Sequence, residues 1–134
     1  MDLFLMILLD THVLVWAADG SDRLSRTAAS EIRRARRDGG LAISAMSLWE
    51  LAFLLTRGRI QMYGSVASSM RLLTEDVAVL PITPEIALLA AQFPEDYPGD
   101  PGDRLIGATA RAEGLTLVTR DENIRRSPLV KTAW

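Results

Sequence analysis

At 134 residues, with 49% hydrophobic and 24% charged side chains, the chain has the size and balance of one folded domain, residues 1–134, and is too apolar for a disordered protein. It has no cysteine and a single histidine, His12, which excludes disulfide frameworks, thiolate metal sites, cysteine nucleophiles and multi-histidine centres, and suits a reducing cytoplasm. A formal charge of −2 gives no global attraction to nucleic acid, so any such surface has to be local.

The apolar run Leu3 to Leu9 is short, lacks a basic leader and stops at Asp10. It reads as a buried strand over Leu5 to Leu9, not as a membrane span or secretory signal. Thr11 to Ala17 follows, then a turn with Asp19, Gly20 and Asp22, then a helix from Ser25 to Asp38 stopped by Gly39-Gly40. Leu41 to Ser44 is a second strand. Apolar residues at helical spacing run from Leu48 to Leu55, and another helix covers Ser65 to Thr74. Val77 to Leu80 is the third strand. Pro84 suits the first turn of a helix reaching Phe93, and the proline- and glycine-rich stretch Pro94 to Gly102 reads as a loop. A helix over Arg104 to Glu113 capped by Gly114, a strand over Leu115 to Val118 and a short strand near Leu129 to Lys131 complete the chain. Strands alternating with helices predict an α/β fold with a central parallel sheet.

On that map Asp10 ends the first strand, Asp121 follows the fourth, Glu50 lies in the first turn of a helix and Asp103 opens another. The carboxyl ends of parallel strands share one edge, where the next helices begin, so these four acids can meet in one crevice. Two like charges ~4 Å apart repel by about 4 kcal/mol at an effective dielectric near 20, so such a cluster needs protons or a multivalent cation. Oxygen-only donors favour Mg²⁺ or Mn²⁺.

Each acid also has a purely structural reading. Asp10 and Asp103 could be N-caps, Ser47-Leu48-Trp49-Glu50 fits a capping box, and Asp121 could end its strand in a turn with Glu122-Asn123. Arg104 and Arg120 could pair with neighbouring acids, and the basic groups Arg33 to Arg37, Arg57 with Arg59, and Arg125 to Lys131 read chiefly as solvated faces. His12 reads as a packing or hydrogen-bonding residue, and Trp16 and Trp49 as core or dimer-interface residues rather than base-stacking platforms. Thr11, Ser47 and Thr119 put hydroxyls beside the acids, either to orient them or to serve turns and caps. The helix from Leu48 to Leu55 is apolar on more than one face, which suggests burial against the sheet and against a partner.

The segments Leu8-Leu9-Asp10-Thr11-His12-Val13-Leu14-Val15-Trp16, Ser47-Leu48-Trp49-Glu50-Leu51, Asp100-Pro101-Gly102-Asp103-Arg104-Leu105-Ile106-Gly107-Ala108 and Leu117-Val118-Thr119-Arg120-Asp121-Glu122-Asn123, in this order, resemble PIN-domain proteins, specifically the VapC-like toxins of bacterial toxin–antitoxin pairs. The resemblance runs from Ile7 to Trp134. It implies an α/β/α sandwich with a central parallel sheet, and Asp10, Glu50, Asp103 and Asp121 as the family's acidic quartet. The implied activity is Mg²⁺- or Mn²⁺-dependent hydrolysis of RNA phosphodiesters, transfer RNA or ribosomal RNA, with water attacking in line and the 3′ oxygen leaving. In that scheme Asp10 and Asp103 hold the metal directly, Asp121 holds it directly or through water, and Glu50 orients or deprotonates the attacking water or holds a second ion. The implied partners are a second copy forming a homodimer and a small cognate antitoxin covering the RNA groove, in an assembly that can be larger. Two departures stand out. Gly102 replaces a bulky aromatic of the related sequences and is expected to loosen the loop before Asp103. The residues before Met6 exceed the usual leader, so the start is either Met1, with a sheet edge extended, or Met6.

Other uses of such a chain make different demands. A receiver domain needs an aspartate after its middle strand and a lysine after its last, but Val77 to Ile82 has no aspartate and the only lysine is Lys131. A haloacid-dehalogenase-like phosphatase needs a second aspartate where His12 stands. The remaining alternatives are a PIN nuclease of RNA processing or branched DNA, and a non-catalytic PIN-fold module that binds a partner.

Overall fold

The structure is a computed structural model that describes residues 5–134. The start of the apolar run, Leu3 and Phe4, and with it most of the leader expected to extend a sheet edge, lies outside them, while the strand expected from Leu5 begins at Ile7. Among the described residues five strands, β1 (Ile7–Leu9), β2 (Leu41–Ser44), β3 (Val77–Leu80), β4 (Thr116–Val118) and β5 (Thr132–Ala133), form one sheet in the order β3-β2-β1-β4-β5. Every neighbouring pair is parallel, with Ile7 opposite Leu41 and Thr116, and Leu9 opposite Val118. Among the described residues seven helices accompany them: α1 (Thr11–Asp19), α2 (Arg26–Asp38), α3 (Ala45–Thr56), α4 (Val66–Thr74), α5 (Pro84–Gln92), α6 (Pro101–Glu113) and α7 (Glu122–Arg125).

The central strands are apolar on both sides because both faces are covered. Leu8, Ala42 and Leu117 face a core made with Ile86, Ala90, Ile106 and Ile124 of α5, α6 and α7. Ile7, Leu9, Ile43 and Val118 face the other core, with Val13, Ile32, Leu51, Leu55 and Leu73 of α1 to α4. This is the α/β/α sandwich expected from the sequence. No described helix is long and apolar enough to cross a membrane.

Several boundaries differ from the sequence reading. Helix α6 begins at Pro101 and not at Arg104, with Asp100 as N-cap accepting the Asp103 amide at 3.1 Å, so Asp103 sits inside the first turn and is not itself the cap. Helix α3 starts after Ser44, whose hydroxyl accepts the Met46 amide. The capping box of Ser47 with Glu50 therefore does not form, and Glu50 lies in the second turn. Asp121 starts α7 instead of a simple turn, accepting the amides of Asn123 and Ile124 at 2.8 and 3.1 Å. The last strand is Thr132–Ala133, displaced from Leu129 to Lys131, because Leu117 donates to the Lys131 carbonyl and Thr119 to that of Ala133.

Beneath α6 the chain is braced by Arg104, whose guanidinium donates to the carbonyls of Ala90, Phe93, Pro94 and Tyr97 at 2.9 to 3.4 Å. It closes the end of α5 and the following loop, and so does not take the surface pairing with acids that its position suggested. Tyr97 is buried edge-on against Phe93, donates to the Asp103 carbonyl and lies so close to Gly107 that a methyl group there would collide with its hydroxyl.

Candidate active site

Crossovers leave β1 toward β2 on one side and β4 toward β5 on the other, so the strand order reverses between β1 and β4. A crevice opens beyond the carboxyl ends at such a point. Asp10 follows β1 and caps α1, Thr119 to Asp121 follow β4, and Ser44 at the end of β2 launches α3 with Ser47 and Glu50. Helix α6 feeds the amino end of β4 through Gly114, so its own amino end, with Asp100 and Asp103, returns to the same edge. Four helix amino ends converge there, and their partial positive charges favour carboxylates.

The result is a pocket of about 530 Å³ lined by Asp10, Glu50, Asp103 and Asp121, all four sequence candidates. Sequence reading missed a fifth acid in it, Asp100. Its signal was the Asp-Pro pair, since proline at the first helical position follows an N-cap. Thr11, His12, Trp16, Arg23 and Arg120 also border the pocket. A larger, more open hollow at Thr27, Arg125 and Trp134 holds one carboxylate, Glu122, already paired with Arg126 at 3.4 Å.

Hydroxyls fix two of the carboxylates. Thr119 donates to Asp10 Oδ2 at 2.8 Å while the Thr11 amide donates to Oδ1 at 2.9 Å. Thr11 Oγ1 donates to Glu50 Oε1 at 2.6 Å and lies 2.8 Å from the buried Ser47 hydroxyl. The orienting reading therefore holds for Thr11 and for Thr119, whose hydroxyl also accepts the Asp121 amide at 3.1 Å, while Ser47 reaches the acids only through Thr11. Glu50 Oε2 faces Gly102, where a Cβ would come within 2.7 Å of it. Gly102 is buried in the first turn of α6, so it does not loosen a loop as expected; it makes room for Glu50.

Burial pushes the Asp10 carboxyl above its ordinary range, against the opposing hydrogen bonds from Thr119 and Thr11. Burial likewise raises Glu50, helped by the charges of Asp10 and Asp100. Asp103 is pushed up to about 7, first by burial and then by the charges of Asp10, Asp100, Asp121 and Glu50. The three ion pairs among the described residues, Arg34 with Glu31, Arg37 with Asp38 and Arg126 with Glu122, all lie elsewhere. The acids thus repel one another without a side-chain cation paired to them.

All five bring hard oxygen donors, which suits Mg²⁺ or Mn²⁺. Among the described residues no three acid or histidine groups already stand in a metal cage, so an ion would have to draw the carboxylates inward as it neutralises them. The donor chemistry and the unrelieved repulsion fit a divalent cation.

Two aromatic expectations divide. Trp16 is half-buried, with His12 and Trp134 at centroid distances of 6.0 and 6.1 Å, while Trp49 is 61% exposed and stacks on Phe53 at 5.3 Å. Trp49 is therefore not a core residue, because α3 turns Ser47, Leu51 and Leu55 inward.

A family model described as PIN domain matches residues 7–128. Ribonuclease VapC22 of Mycobacterium tuberculosis is 42% identical over 130 residues, covering 96% of this chain and 98% of that protein. Among solved structures, VapBC2 of Rickettsia felis bound to a promoter DNA fragment has a TM-score of 0.73 at 17% identity, covering 96% of this chain and 97% of that one. VapC20 of Mycobacterium tuberculosis, a Sarcin-Ricin loop cleaving toxin, has a TM-score of 0.63 at 21% identity, covering 93% and 97%. At these identities the structural likeness concerns the fold.

Proposed function

The chain belongs to the PIN-domain family, and from that premise we propose that it is a VapC-type ribonuclease toxin which hydrolyses RNA with the help of Mg²⁺ or Mn²⁺. The observation that carries this reading is the pocket where Asp10, Glu50, Asp103 and Asp121 meet with their repulsion unrelieved, in a chain 42% identical to a ribonuclease along nearly its whole length.

Asp10, Asp103 and Asp121 would hold the ion, with Glu50 at its edge. A divalent cation there supplies Lewis acidity toward the phosphoryl group and makes water easier to deprotonate. The protein's own part is orientation and proton transfer. Thr119 and the Thr11 amide keep both oxygens of Asp10 in place, and Thr11 holds one oxygen of Glu50 while the other stays free beside Gly102. That free oxygen, on a carboxyl whose proton affinity burial has raised, suits Glu50 to accept the proton of the attacking water.

We assign as partners a small cognate antitoxin and a second copy of the chain. The solved structures resembling this fold include VapBC toxin–antitoxin complexes, and Trp49 and Phe53 leave an apolar strip of α3 exposed. The composition suits work in the cytoplasm.

The test is to incubate the full chain, freed of bound partner and treated with chelator, with total cellular RNA with and without Mn²⁺ or Mg²⁺, beside Asp103→Asn. Discrete fragments that require both the metal and Asp103 are expected. Cleavage that persists in Asp103→Asn would remove the assigned site, and no cleavage by folded protein under either metal would remove the reading.

A further inference from the structure

We propose that Arg23 and Arg120, seated against Trp16 on the rim of the acidic pocket, form a phosphate clamp for a single RNA strand entering that pocket; the proposal rests on the ribonuclease reading above. The guanidinium carbons lie 5.9 and 5.8 Å from the centroid of the same indole ring. Both residues are exposed and both line the pocket that holds five carboxylates. Yet neither belongs to any ion pair among the described residues. Arginines beside so many acids would ordinarily collapse onto them. Here the ring offers each guanidinium an alternative seat, because an indole face attracts a cation through its quadrupole.

The seats are fixed from below. Trp16 packs on the core of α1 to α4 and against Trp134. Arg120 stands between Thr119, which binds Asp10, and Asp121, which caps α7. Arg23 is held by its amide donating to the Ser21 hydroxyl, in the turn after Gly20, whose φ of +68° is the left-handed conformation glycine tolerates. A donor fork already held in place loses less freedom when it binds a phosphate.

The clamp also answers a charge problem. A polyanionic strand reaching the acidic pocket of a chain with net charge −2 needs local cations, and the unpaired rim arginines are placed to supply them. Beyond them a second hollow of about 370 Å³ shares His12, Trp16 and Arg23 with the acidic pocket and continues to Arg59 and Gln61. The strand would leave the scissile bond past Arg120, Trp16 and Arg23 toward Arg59. Trp16 is a positioning residue in this scheme, covered by the arginines rather than open to a base.

The experiment measures fluorescence anisotropy of a labelled, mixed-sequence single-stranded RNA dodecamer with the full chain in Mg²⁺, across a range of KCl, in an Asp103→Asn background that prevents cleavage. Adding Arg23→Gln and Arg120→Gln should weaken binding about 10-fold and reduce the slope of log Kd against log salt by about 1.4, since each single-strand phosphate contact carries about 0.7. Arg23→Lys with Arg120→Lys should keep the slope and lose only part of the affinity, and Trp16→Leu should weaken binding a few-fold with the slope unchanged. An unchanged slope in the glutamine double variant, or equal arginine-dependent binding of labelled oligoglutamate, overturns the clamp. Cleavage by the unsubstituted chain with arginine-independent binding would sink the clamp alone. Arginine-dependent binding without cleavage would sink the nuclease reading alone, and no RNA binding at all would sink both.

Discussion

Asp103 and Arg104 are neighbours in the chain and opposites in the fold. Arg104 satisfies four carbonyls and belongs to a brace in which Tyr97 and Gly107 leave no spare space. Asp103, one residue earlier, points into a pocket where burial and four other carboxylates push its proton affinity up to about 7. The brace is stable as it stands, whereas the pocket gathers like charges whose repulsion is relieved by a proton or by a cation. A group retained at a cost to stability is a mark of function, because the same helix turn could have been built without that repulsion.

The contrast is broken most sharply by exchanging the two losses. Asp103→Asn should lower RNA cleavage at least ~100-fold, the order of loss for a group needed in metal-assisted transition-state stabilisation, while the protein stays folded. Arg104→Ala should do the reverse, costing roughly 2–3 kcal/mol in urea unfolding by leaving the carbonyls it serves without their charged donor, with cleavage per folded molecule largely kept. Gly107→Ala tests the brace from the other side, where overpacking against Tyr97 should cost about 1–3 kcal/mol, read by the same unfolding. The smallest and most selective change is Gly102→Ala. It should move stability by no more than about 1 kcal/mol, the helix preference of alanine being offset by crowding of the Asp100 cap, yet slow cleavage several-fold by displacing the Glu50 carboxylate. If its cleavage is unaltered, the Gly102 contact does not serve the site.

Much of this was legible in the residues. The strands Leu41–Ser44 and Val77–Leu80 and the helices α2, α4 and α5 follow from apolar runs, Ser25, Ser65 and Pro84, since those signals act locally. The four acids were also readable, because strand exits and helix entries of a parallel sheet fall on one edge. What escaped depends on contacts distant in sequence. Ser47 resembles a cap locally but bonds to Thr11 across the pocket, and Arg104 resembles a surface partner of acids but reaches the end of the preceding helix. Trp49 shares the apolar run that contains Leu51 yet faces outward. Asp100 was hidden by reading its prolines only as loop formers, although proline after a capping acid also opens helices.

If a divalent cation relieves the repulsion in the pocket, the stability of the chain should depend on pH and metal together. With a proton affinity near 7 when folded against an ordinary 3.8, Asp103 keeps a proton that the unfolded chain has already released between about pH 4 and pH 7, so its contribution to stability is lost as pH rises through that window. The direct measurement is the thermal midpoint of chelator-treated protein and of Asp103→Asn, from about pH 5 to about pH 8, with and without Mn²⁺. The unsubstituted chain should lose stability relative to Asp103→Asn as pH rises, and Mn²⁺ should restore it by several degrees near pH 8 but little near pH 5. An equal Mn²⁺ response in Asp103→Asn, or no response near pH 8, would contradict relief by a cation.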